Sequence, residues 1–327
     1  MLLNISVEED VRKNGAYKAT IFQFSYGIPA VFSMIFLVIY FFFSKKYKKS
    51  FYFLIQIDLI VNILLTMNSW LSLRMTHLES GVDFMKWIEN KIPGVLDWST
   101  HFLYVFFHLQ FCTAFALNVY RILALFFTKR NEPKWILSSF LFFLAALTYS
   151  MALPFLLPGA FSYRLSIENE NKTLIGIYDT VLGEKKAFGS ACFSVIYFLA
   201  FLAIGLLTRI LVRLRVEKIK ILLSPEISRQ VTKIAFANSI VFLGIMSYSI
   251  FSGFVVEHIC ETVSFFCKYD SIIATFSSDM MTVFLPINII FHDPELWKEV
   301  CKLRRKLVVV AAPVTEYLSR LFNVSRS

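Results

Sequence analysis

A long apolar segment near the middle of the chain carries side chains that could bind a metal ion or a small ligand. At about 100° per residue, a helix over this segment places four of them on one stripe: His101, Tyr104, His108 and Cys112. Imidazole and thiolate groups bind metals, but the chain has no HExxH or CxxC motif. A hydrogen-bonded pair of histidines is therefore the preferred interpretation, and no metal or other cofactor is predicted.

The segment from His101 to Phe127 has the length of a membrane span, since a bilayer requires about 20 mostly apolar residues. Another face of the same helix carries Gln110, Asn118 and Arg121. A helix with polar groups on two sides cannot expose either side to lipid, where they would lack hydrogen-bond partners. We therefore expect this helix to be surrounded by other helices.

The composition is typical of a membrane protein. Of the 327 residues, 57% are hydrophobic, 36 are Phe and only 11 are Gly, and the mean hydropathy is +0.63. The net charge of +10 comes from short basic clusters between apolar runs. That pattern indicates membrane loops in contact with lipid headgroups rather than a nucleic-acid-binding surface. The first residues lack the apolar core of a signal peptide, so the first span is expected to be an uncleaved anchor.

Seven segments are apolar and long enough to span the membrane. They are Ile21–Phe43, Phe51–Leu73, His101–Phe127, Trp135–Leu157, Phe188–Leu211, Val231–Val256 and Ser271–Phe291. The sequence therefore predicts an all-α membrane protein with a seven-transmembrane helix bundle over residues 21–291. Residues 1–20 are predicted to be an extracellular N-terminus, and residues 292–327 a cytoplasmic amphipathic helix and tail.

The loop charges predict the orientation. Basic residues fill the first, third and fifth connections and follow the last span, as in Lys45, Lys129, Arg213 and Arg304, whereas the alternate loops are neutral to acidic. Because cytoplasmic loops carry an excess of Lys and Arg, the N-terminus is expected outside and the C-terminus inside. The sequons at Asn4 and Asn171 fall on predicted outer segments, where glycosylation can occur.

Two spans carry carboxylates on an interior face. Span two aligns Asp58, Asn62, Ser69 and Ser72. Span seven aligns Thr275, Asp279, Thr282 and Pro286, and Pro286 is expected to bend the helix. A carboxylate at mid-bilayer costs roughly 2.5–3.5 kcal/mol, so both are expected to face protein or water. Two interpretations stay open. The carboxylates only stabilise the bundle through hydrogen bonds, or they form a polar core that rearranges between two states.

A ligand site is predicted between the spans, where helix bundles usually bind small molecules. His101, Tyr104 and His108 lie in the outer half of span three, and Asp279 lies at about mid-depth in span seven. We predict that these four residues line a pocket open to the outside. The aromatic-rich composition favours a small, largely apolar or lipid-like ligand over a peptide. The alternative is that the histidines only pack within the bundle.

The residues after span seven predict a short helix through Lys306. Asp293, Pro294 and Glu295 supply a helix cap, a proline at the first helical position and an acid in the first turn. Its apolar and basic sides favour a position on the inner membrane surface. Elsewhere, Cys260 and Cys267 share the third outer loop, where a disulfide can form. Whether they pair is left open, because sequence does not give their geometry.

Four motifs, in order, resemble those of one receptor family. They are Tyr26-Gly27-Ile28-Pro29, Phe53-Leu54-Ile55-Gln56-Ile57-Asp58 with Asn62, Asn118-Val119-Tyr120-Arg121, and Ser278-Asp279 through Leu285-Pro286. The set resembles the nematode serpentine receptors of class gamma, the Srg family, over roughly residues 20–300. The resemblance implies a receptor like those coupled to G proteins, at the plasma membrane of a sensory cell, and not an enzyme. It also implies a small-molecule ligand and a heterotrimeric G protein as partners.

The resemblance also implies roles for individual residues. A polar core that switches would comprise Asp58, Asn62, Asn118, Arg121 and Pro286. The side facing the G protein would comprise Arg121, Arg213, Arg215 and Lys218.

The chain also departs from rhodopsin-like receptors. Tyr120 replaces the acid before the arginine of span three, Leu285-Pro286-Ile287-Asn288 replaces Asn-Pro-x-x-Tyr, and predicted span seven has no lysine for a retinal Schiff base. A ligand-gated channel or a small-molecule transporter is the alternative, although no inverted repeat is visible. Homo- or hetero-oligomers are compatible with all three classes.

Overall fold

A computed structural model describes residues 2–3, 9–47, 50–126, 132–156, 163–167, 174–178, 180–216, 244, 246–247, 250, 264–293 and 296–302. Its main helices are α1 (Glu9–Phe43), α2 (Ser50–Ser69), α3 (Glu79–Lys91), α4 (Val95–Phe126), α5 (Glu132–Leu156), α6 (Thr180–Val216) and α7 (Ser264–His292). The helix α8 follows at 296–302. A π-helical turn, Trp70–Arg74, extends α2, and short 3-10 turns occupy Lys45–Tyr47 and Met75–His77.

Five of the described helices are long and apolar enough to cross a membrane. Their spans are Tyr17–Phe43, Phe51–Arg74, Val95–Tyr120, Pro133–Phe155 and Phe188–Leu207. These correspond to the first five predicted spans. The seventh predicted span lies within α7, which has 29 residues and packs along α1. Most of the sixth predicted span lies outside the described residues. The helical membrane fold predicted from sequence is confirmed.

The helix α4 lies at the centre of the described bundle. It packs against α2, α5 and α6. Of the residues in its most apolar stretch, 61% are buried, against 22% in α5 and 17% in α6. The polar side chains of α4 therefore have protein neighbours on more than one side, whereas the outer surfaces of α5 and α6 remain available to lipid.

Several helices begin well before the predicted spans, including α6, which begins at Thr180 rather than near Phe188. The helix α1 begins at Glu9 rather than near Ile21, and α7 begins at Ser264 rather than near Ser271. Hydropathy marks only the part of a helix that fits the hydrocarbon, and the backbone can continue its hydrogen bonds beyond it. One consequence is that α7 includes Lys268, so the helix contains a lysine that the predicted span does not.

The helix α3 was not predicted and closes one end of the bundle, which we call the α3 end. On its inner side Met85 is fully buried and packs near Leu96 and Leu71. On its outer side the rings of Phe84 and Trp87 stack at 5.9 Å and stay exposed. Aromatic side chains at the ends of membrane spans commonly lie at the lipid headgroups, which fits a helix that joins two spans.

The start of α4 is held by a carboxylate from α3. Glu89 accepts hydrogen bonds from the backbone N–H groups of Gly94, over 2.5 Å, and Leu96, over 3.0 Å. A negative charge there also favours the positive end of the helix dipole. Gly94 has φ +85°, a conformation that L side chains rarely adopt, so glycine is required at this turn.

A small antiparallel sheet also lies at the α3 end. Its strands are β1 (Leu2–Leu3), β2 (Tyr163–Ile167) and β3 (Leu174–Tyr178), in the order β1-β3-β2. The register pairs Leu2 with Ile177 and Tyr163 with Tyr178. The β2–β3 pair connects α5 to α6, and β2 packs against α4. These strands were not predicted from the sequence.

The opposite end carries α8, and we call it the α8 end. Asp293 caps α8 as predicted, because its Oδ1 accepts a hydrogen bond from the backbone N–H of Leu296 over 3.2 Å. Leu296 is fully buried in the core formed with α1, α2 and α7. Trp297 stacks on Phe291 at 4.9 Å. Residues 303–306 of the predicted helix lie outside the described residues.

Candidate functional site

A buried hydrogen-bonded network joins α2 to α4 at the centre of the bundle. We call it the mid-bundle network, and it comprises Asp58, Asn62, Gln110 and Thr113. Thr113 Oγ1 donates to Asp58 Oδ1 over 2.6 Å, and Gln110 Nε2 donates to Asn62 Oδ1 over 2.5 Å. None of the four residues is more than 5% exposed.

The helical spacing explains this geometry. Asp58 and Asn62 lie one turn apart on α2, and Gln110 and Thr113 lie three residues apart on α4, so each pair forms a single face. Asn62 Nδ2 also donates to the carbonyl of Asp58 over 2.7 Å, which fixes the amide. Both α2 residues thus bond to α4 as well as within α2.

A second network contains an ion pair that was not predicted from the sequence. We call it the Arg74 network. Arg74 lies 2.5 Å from Asp279 Oδ1 on α7, and both side chains are almost fully buried, at 2% and 8% exposure. Tyr26 of α1 donates its hydroxyl proton to Asp279 Oδ2 over 2.7 Å. The carboxylate is therefore bonded through both oxygens.

The remaining donors of Arg74 bind neighbours on three helices, and on α7 the acceptor is the carbonyl of Thr275, over 3.4 Å. Its Nε donates to Gln23 Oε1 over 2.9 Å, and one terminal nitrogen donates to Ser69 Oγ over 2.8 Å. Gln23 in turn donates to Thr275 Oγ1 over 2.9 Å. A buried charge pair is tolerated only when its other hydrogen-bonding groups are also satisfied. The Arg74 network meets that condition and ties α1, the end of α2 and α7 together.

The π-helical turn places Arg74 inside the bundle. In a regular α-helix, Arg74 would be rotated by about 140° from Ser69, because five residues exceed one full turn. The π turn instead bonds residues five apart, as shown by the Met75 N–H to Trp70 carbonyl bond. Arg74 thereby comes above Ser69, which faces inward. The ring of Trp70, at the start of this turn, lies 3.1 Å from where a Cβ at Gly27 of α1 would be.

A third group of residues surrounds His108 between α4, α5 and α6. We call it the histidine cluster, and it comprises His108, Tyr104, Tyr149, Phe193 and Tyr197. His108 is fully buried, and its Nδ1 lies 2.8 Å from the Tyr197 hydroxyl. That hydroxyl lies 3.2 Å from the hydroxyl of Tyr149. The ring of Tyr104 packs edge-on against the imidazole at 4.5 Å, and that of Phe193 at 5.2 Å.

The structure divides the four predicted ligand residues among three places. Tyr104 and His108 belong to the histidine cluster, and His101 packs beside Phe155 of α5, with ring centres 5.3 Å apart. Asp279 belongs to the Arg74 network instead. The predicted hydrogen-bonded pair of histidines is wrong, because His108 Nδ1 bonds to Tyr197 and His108 Nε2 has no partner among the described residues. Within the described ranges, no three His, Cys, Asp or Glu side chains come together to hold a metal ion.

Comparison with known proteins decides the family. The sequence profile of the Srg family of chemoreceptors matches residues 20–300. The chain is 31% identical to serpentine receptor class gamma-47 of Caenorhabditis elegans over 294 residues, which are 90% of this chain and 94% of that receptor. It is 30% identical to serpentine receptor class gamma-53 of the same organism over 235 residues, or 71% and 77% of the two chains. The chain belongs to the Srg family of chemoreceptors.

Membership of the Srg family confirms the resemblance found in the sequence and the seven-transmembrane architecture. The chain is thus a multi-pass membrane receptor. Its spans contribute the residues of the mid-bundle network, the Arg74 network and the histidine cluster. The mid-bundle network lies on the motif residues Asp58 and Asn62, and the Arg74 network includes the motif residues Tyr26 and Asp279. Their roles in receptor switching stay predictions.

Tyr120 of this Srg receptor stands where rhodopsin-like receptors have an acid. It is 3% exposed, and its ring packs between Phe51 of α2, at 5.8 Å, and Trp135 of α5, at 5.5 Å. Tyr120 therefore provides aromatic packing towards the α8 end. Asn118, one of the predicted switch residues, is also buried, and its amide donates to the carbonyl of Ala114 over 2.9 Å.

A tyrosine pair at the α8 end was also missed by sequence reasoning. Tyr52 donates its hydroxyl proton to Asp293 Oδ2 over 3.0 Å, so the residue that caps α8 is also bonded to α2. Burial raises the pKa of the neighbouring Tyr47, and the charge of Asp293 acts in the same direction. Tyr52 thus links α2 to the start of α8, and Tyr47 of the first connection packs against Tyr52 with ring centres 4.6 Å apart.

Eight predicted site residues either lie outside the described residues or have only their backbone described. Asn4, Asn171, Lys218 and Cys260 lie outside the described residues, and only the backbone is described for Arg121, Arg213, Arg215 and Cys267. The side chain of Pro286 is buried within α7. Its predicted effect on the helix axis stays a prediction.

Proposed function

We propose that this Srg receptor binds a small, largely apolar extracellular ligand at the histidine cluster and signals through a heterotrimeric G protein. The observation that supports the ligand site is the burial of His108 among the aromatic rings of three helices. Aromatic walls with a few convergent polar groups are typical of small-molecule sites. Asp279 is left out of the proposed site because Arg74 and Tyr26 already occupy both of its oxygens.

The histidine cluster is also suited to couple a ligand to the bundle. It joins α4 to the two helices α5 and α6, whose most apolar stretches are only 22% and 17% buried. A ligand that binds one arrangement of these helices more tightly would shift the population towards that arrangement. The α8 end is the proposed surface for the G protein. The sequence predicts that Arg121, Arg213, Arg215 and Lys218 lie on this side of the membrane.

His108→Phe tests the ligand site. With an agonist identified by second-messenger readout in transfected cells, we expect the variant to lower agonist potency roughly tenfold or more, since a polar contact inside the site is lost. Ile196→Phe is the matched control, because it adds the same ring beside Tyr197 on an exposed surface of α6. Surface expression of both variants is measured in parallel. Unchanged potency in His108→Phe at normal expression would reject the site.

We place the receptor in the plasma membrane. In the proposed orientation, the α3 end lies outside the cell and the α8 end lies in the cytoplasm. This orientation rests on the basic loops and on the sequons at Asn4 and Asn171. A membrane-impermeant label on intact cells should react with a cysteine introduced beside Asn171 and not with one introduced in 213–220. Permeabilised cells provide the control, since both positions should then react. Labelling of 213–220 on intact cells would contradict the orientation.

The same cells distinguish a receptor from a ligand-gated channel. A second-messenger response that disappears when the G-protein α subunits are deleted supports coupling to a G protein. A current evoked by the agonist in those deleted cells would favour the channel instead.

A further inference from the structure

The hydrogen bonds around His108 assign the position of its proton. The Tyr197 hydroxyl lies 2.8 Å from His108 Nδ1 and 3.2 Å from the Tyr149 hydroxyl. Hydrogen bonds donated by a hydroxyl group usually span about 2.5–3.0 Å. The Tyr197 hydroxyl therefore donates its single proton to His108 Nδ1 rather than to the oxygen of Tyr149. The imidazole then accepts at Nδ1. A neutral imidazole that accepts at Nδ1 carries its own proton on Nε2.

The imidazole is neutral for a separate reason. His108 is fully buried, and its nearest described neighbours are the rings of Tyr104, Phe107, Phe193 and Tyr197. None of these rings carries a negative charge, and burying an unpaired charge among them would be costly. His108 thus presents one fixed N–H donor at Nε2.

That donor has no hydrogen-bond partner in the described part of the chain, although it is shielded from the surroundings of the protein. Unpaired buried donors are uncommon in folded proteins. The rings around it are weaker acceptors than a carbonyl oxygen. An oxygen that entered the cluster would therefore gain a hydrogen bond for which no described side chain competes.

We propose that the receptor recognises neutral molecules with a carbonyl group, such as ketones, aldehydes or esters on a small hydrocarbon body, through a hydrogen bond from His108 Nε2. This inference rests on the proposed function and specifies the ligand class of the same site. A carbonyl needs only a donor, and the site offers one. A carboxylate would need a cation, and Arg74 is already paired with Asp279. An ammonium group has no lone pair to accept the proton.

The proton position is tested on the full-length receptor in lipid nanodiscs, without any ligand. The chain has five histidines, so nitrogen NMR of histidine-labelled protein gives few signals, and the His108 signals are those missing in His108→Phe. We expect a protonated Nε2 and an unprotonated Nδ1, and Tyr197→Phe should shift the Nδ1 signal because it removes the donor. A proton on Nδ1 in the unmodified receptor overturns the inference while leaving the proposed ligand site untouched.

The ligand class is tested with matched probes on the same sample. Cyclohexanone, acetone and acetophenone cover a range of ketone sizes, and cyclohexane, cyclohexylamine and cyclohexanecarboxylate share one ring without a neutral carbonyl. We expect at least one ketone to move the His108 Nε2–H signal saturably and the three other probes to leave it in place. If no ketone moves the signal, or if the carboxylate or the amine does, the inference is overturned.

Two substitutions at His108 separate the donor from the bulk of the ring. The amide nitrogen of Gln reaches about the position of Nε2, whereas that of Asn reaches only that of Nδ1. In cells with a carbonyl agonist, His108→Gln should keep most of the potency, and His108→Asn should lose roughly tenfold, the effect of one hydrogen bond. Equal loss in both variants would contradict donation from Nε2. Equal potency of all His108 variants would instead contradict the proposed ligand site.

Discussion

Replacing Arg74 with Met should strongly destabilise the receptor. Asp279 would then remain buried without its cation, and breaking a buried ion pair in this way costs about 3–5 kcal/mol. The hydroxyl of Tyr26 cannot compensate, because it supplies one neutral donor where the guanidinium supplied a charge. We expect reduced surface expression and a melting temperature of the purified receptor lower by roughly 10 °C.

Two controls separate the buried pair from a general effect of lost charge. Lys302→Met removes the cation of the exposed Lys302–Glu299 pair, whose side chains are 66% and 41% exposed, and should change stability by less than about 1 kcal/mol. The double variant Arg74→Met, Asp279→Leu removes both charges and should recover much of the loss, because paired apolar residues replace a buried ion pair well. If Arg74→Met were as mild as Lys302→Met, the Arg74 network would not stabilise the fold.

The sequence predicted the central helix correctly because polar residues on two faces leave few alternatives. His108, Gln110 and Thr113 of α4 are buried on sides that face different helices. The inward direction of Asp58 and Asn62 follows from the same argument, since a carboxylate and an amide within a span need protein partners. Patterns of this kind give the direction of a side chain. They do not give its partner on another helix.

The Arg74 network could not be predicted from sequence patterns, because it depends on an irregular helical turn. Arg74 follows the predicted end of span two and, with regular helical spacing, would not share a face with Ser69. Only the π turn brings it inward, and no residue of Trp70–Arg74 signals such a turn by its type. Gln23 did carry a signal, because a glutamine inside an apolar span requires a partner within the protein.

For a similar reason, the sequence predicted the α4 residues of the histidine cluster but not their partners on other helices. The stripe of His101, Tyr104 and His108 could be read from one helix, but Tyr197 lies 89 positions away from His108. Its distance depends on how α4 and α6 pack. The strands of the small sheet also depend on contacts between distant segments, here Leu2–Leu3 with Leu174–Tyr178, and two residues are too few to show an alternating pattern.

Asp58→Asn should change signalling while leaving surface expression largely intact. The amide keeps the shape of the side chain, and its oxygen can still accept the Thr113 hydroxyl proton that now bonds to Asp58 Oδ1 over 2.6 Å. What is lost is the capacity to carry a negative charge inside the bundle. If the mid-bundle network differs between the resting and active states, the ratio of basal to stimulated signalling should change roughly fivefold or more, the usual size of such couplings.

Thr113→Val and Thr148→Val complete the test of the mid-bundle network. Thr113→Val removes the donor to Asp58 without changing the side-chain shape, and its effect should not add to that of Asp58→Asn, because residues in one network are coupled. Thr148→Val is the matched control, since Thr148 is exposed and its hydroxyl bonds to the carbonyl of Leu144 in its own helix. Normal signalling by Asp58→Asn at normal expression would mean that Asp58 only joins α2 to α4. Altered signalling by Thr148→Val would show instead that loss of a threonine hydroxyl elsewhere in the spans also changes signalling. The proposed role of the mid-bundle network in signalling would then be rejected.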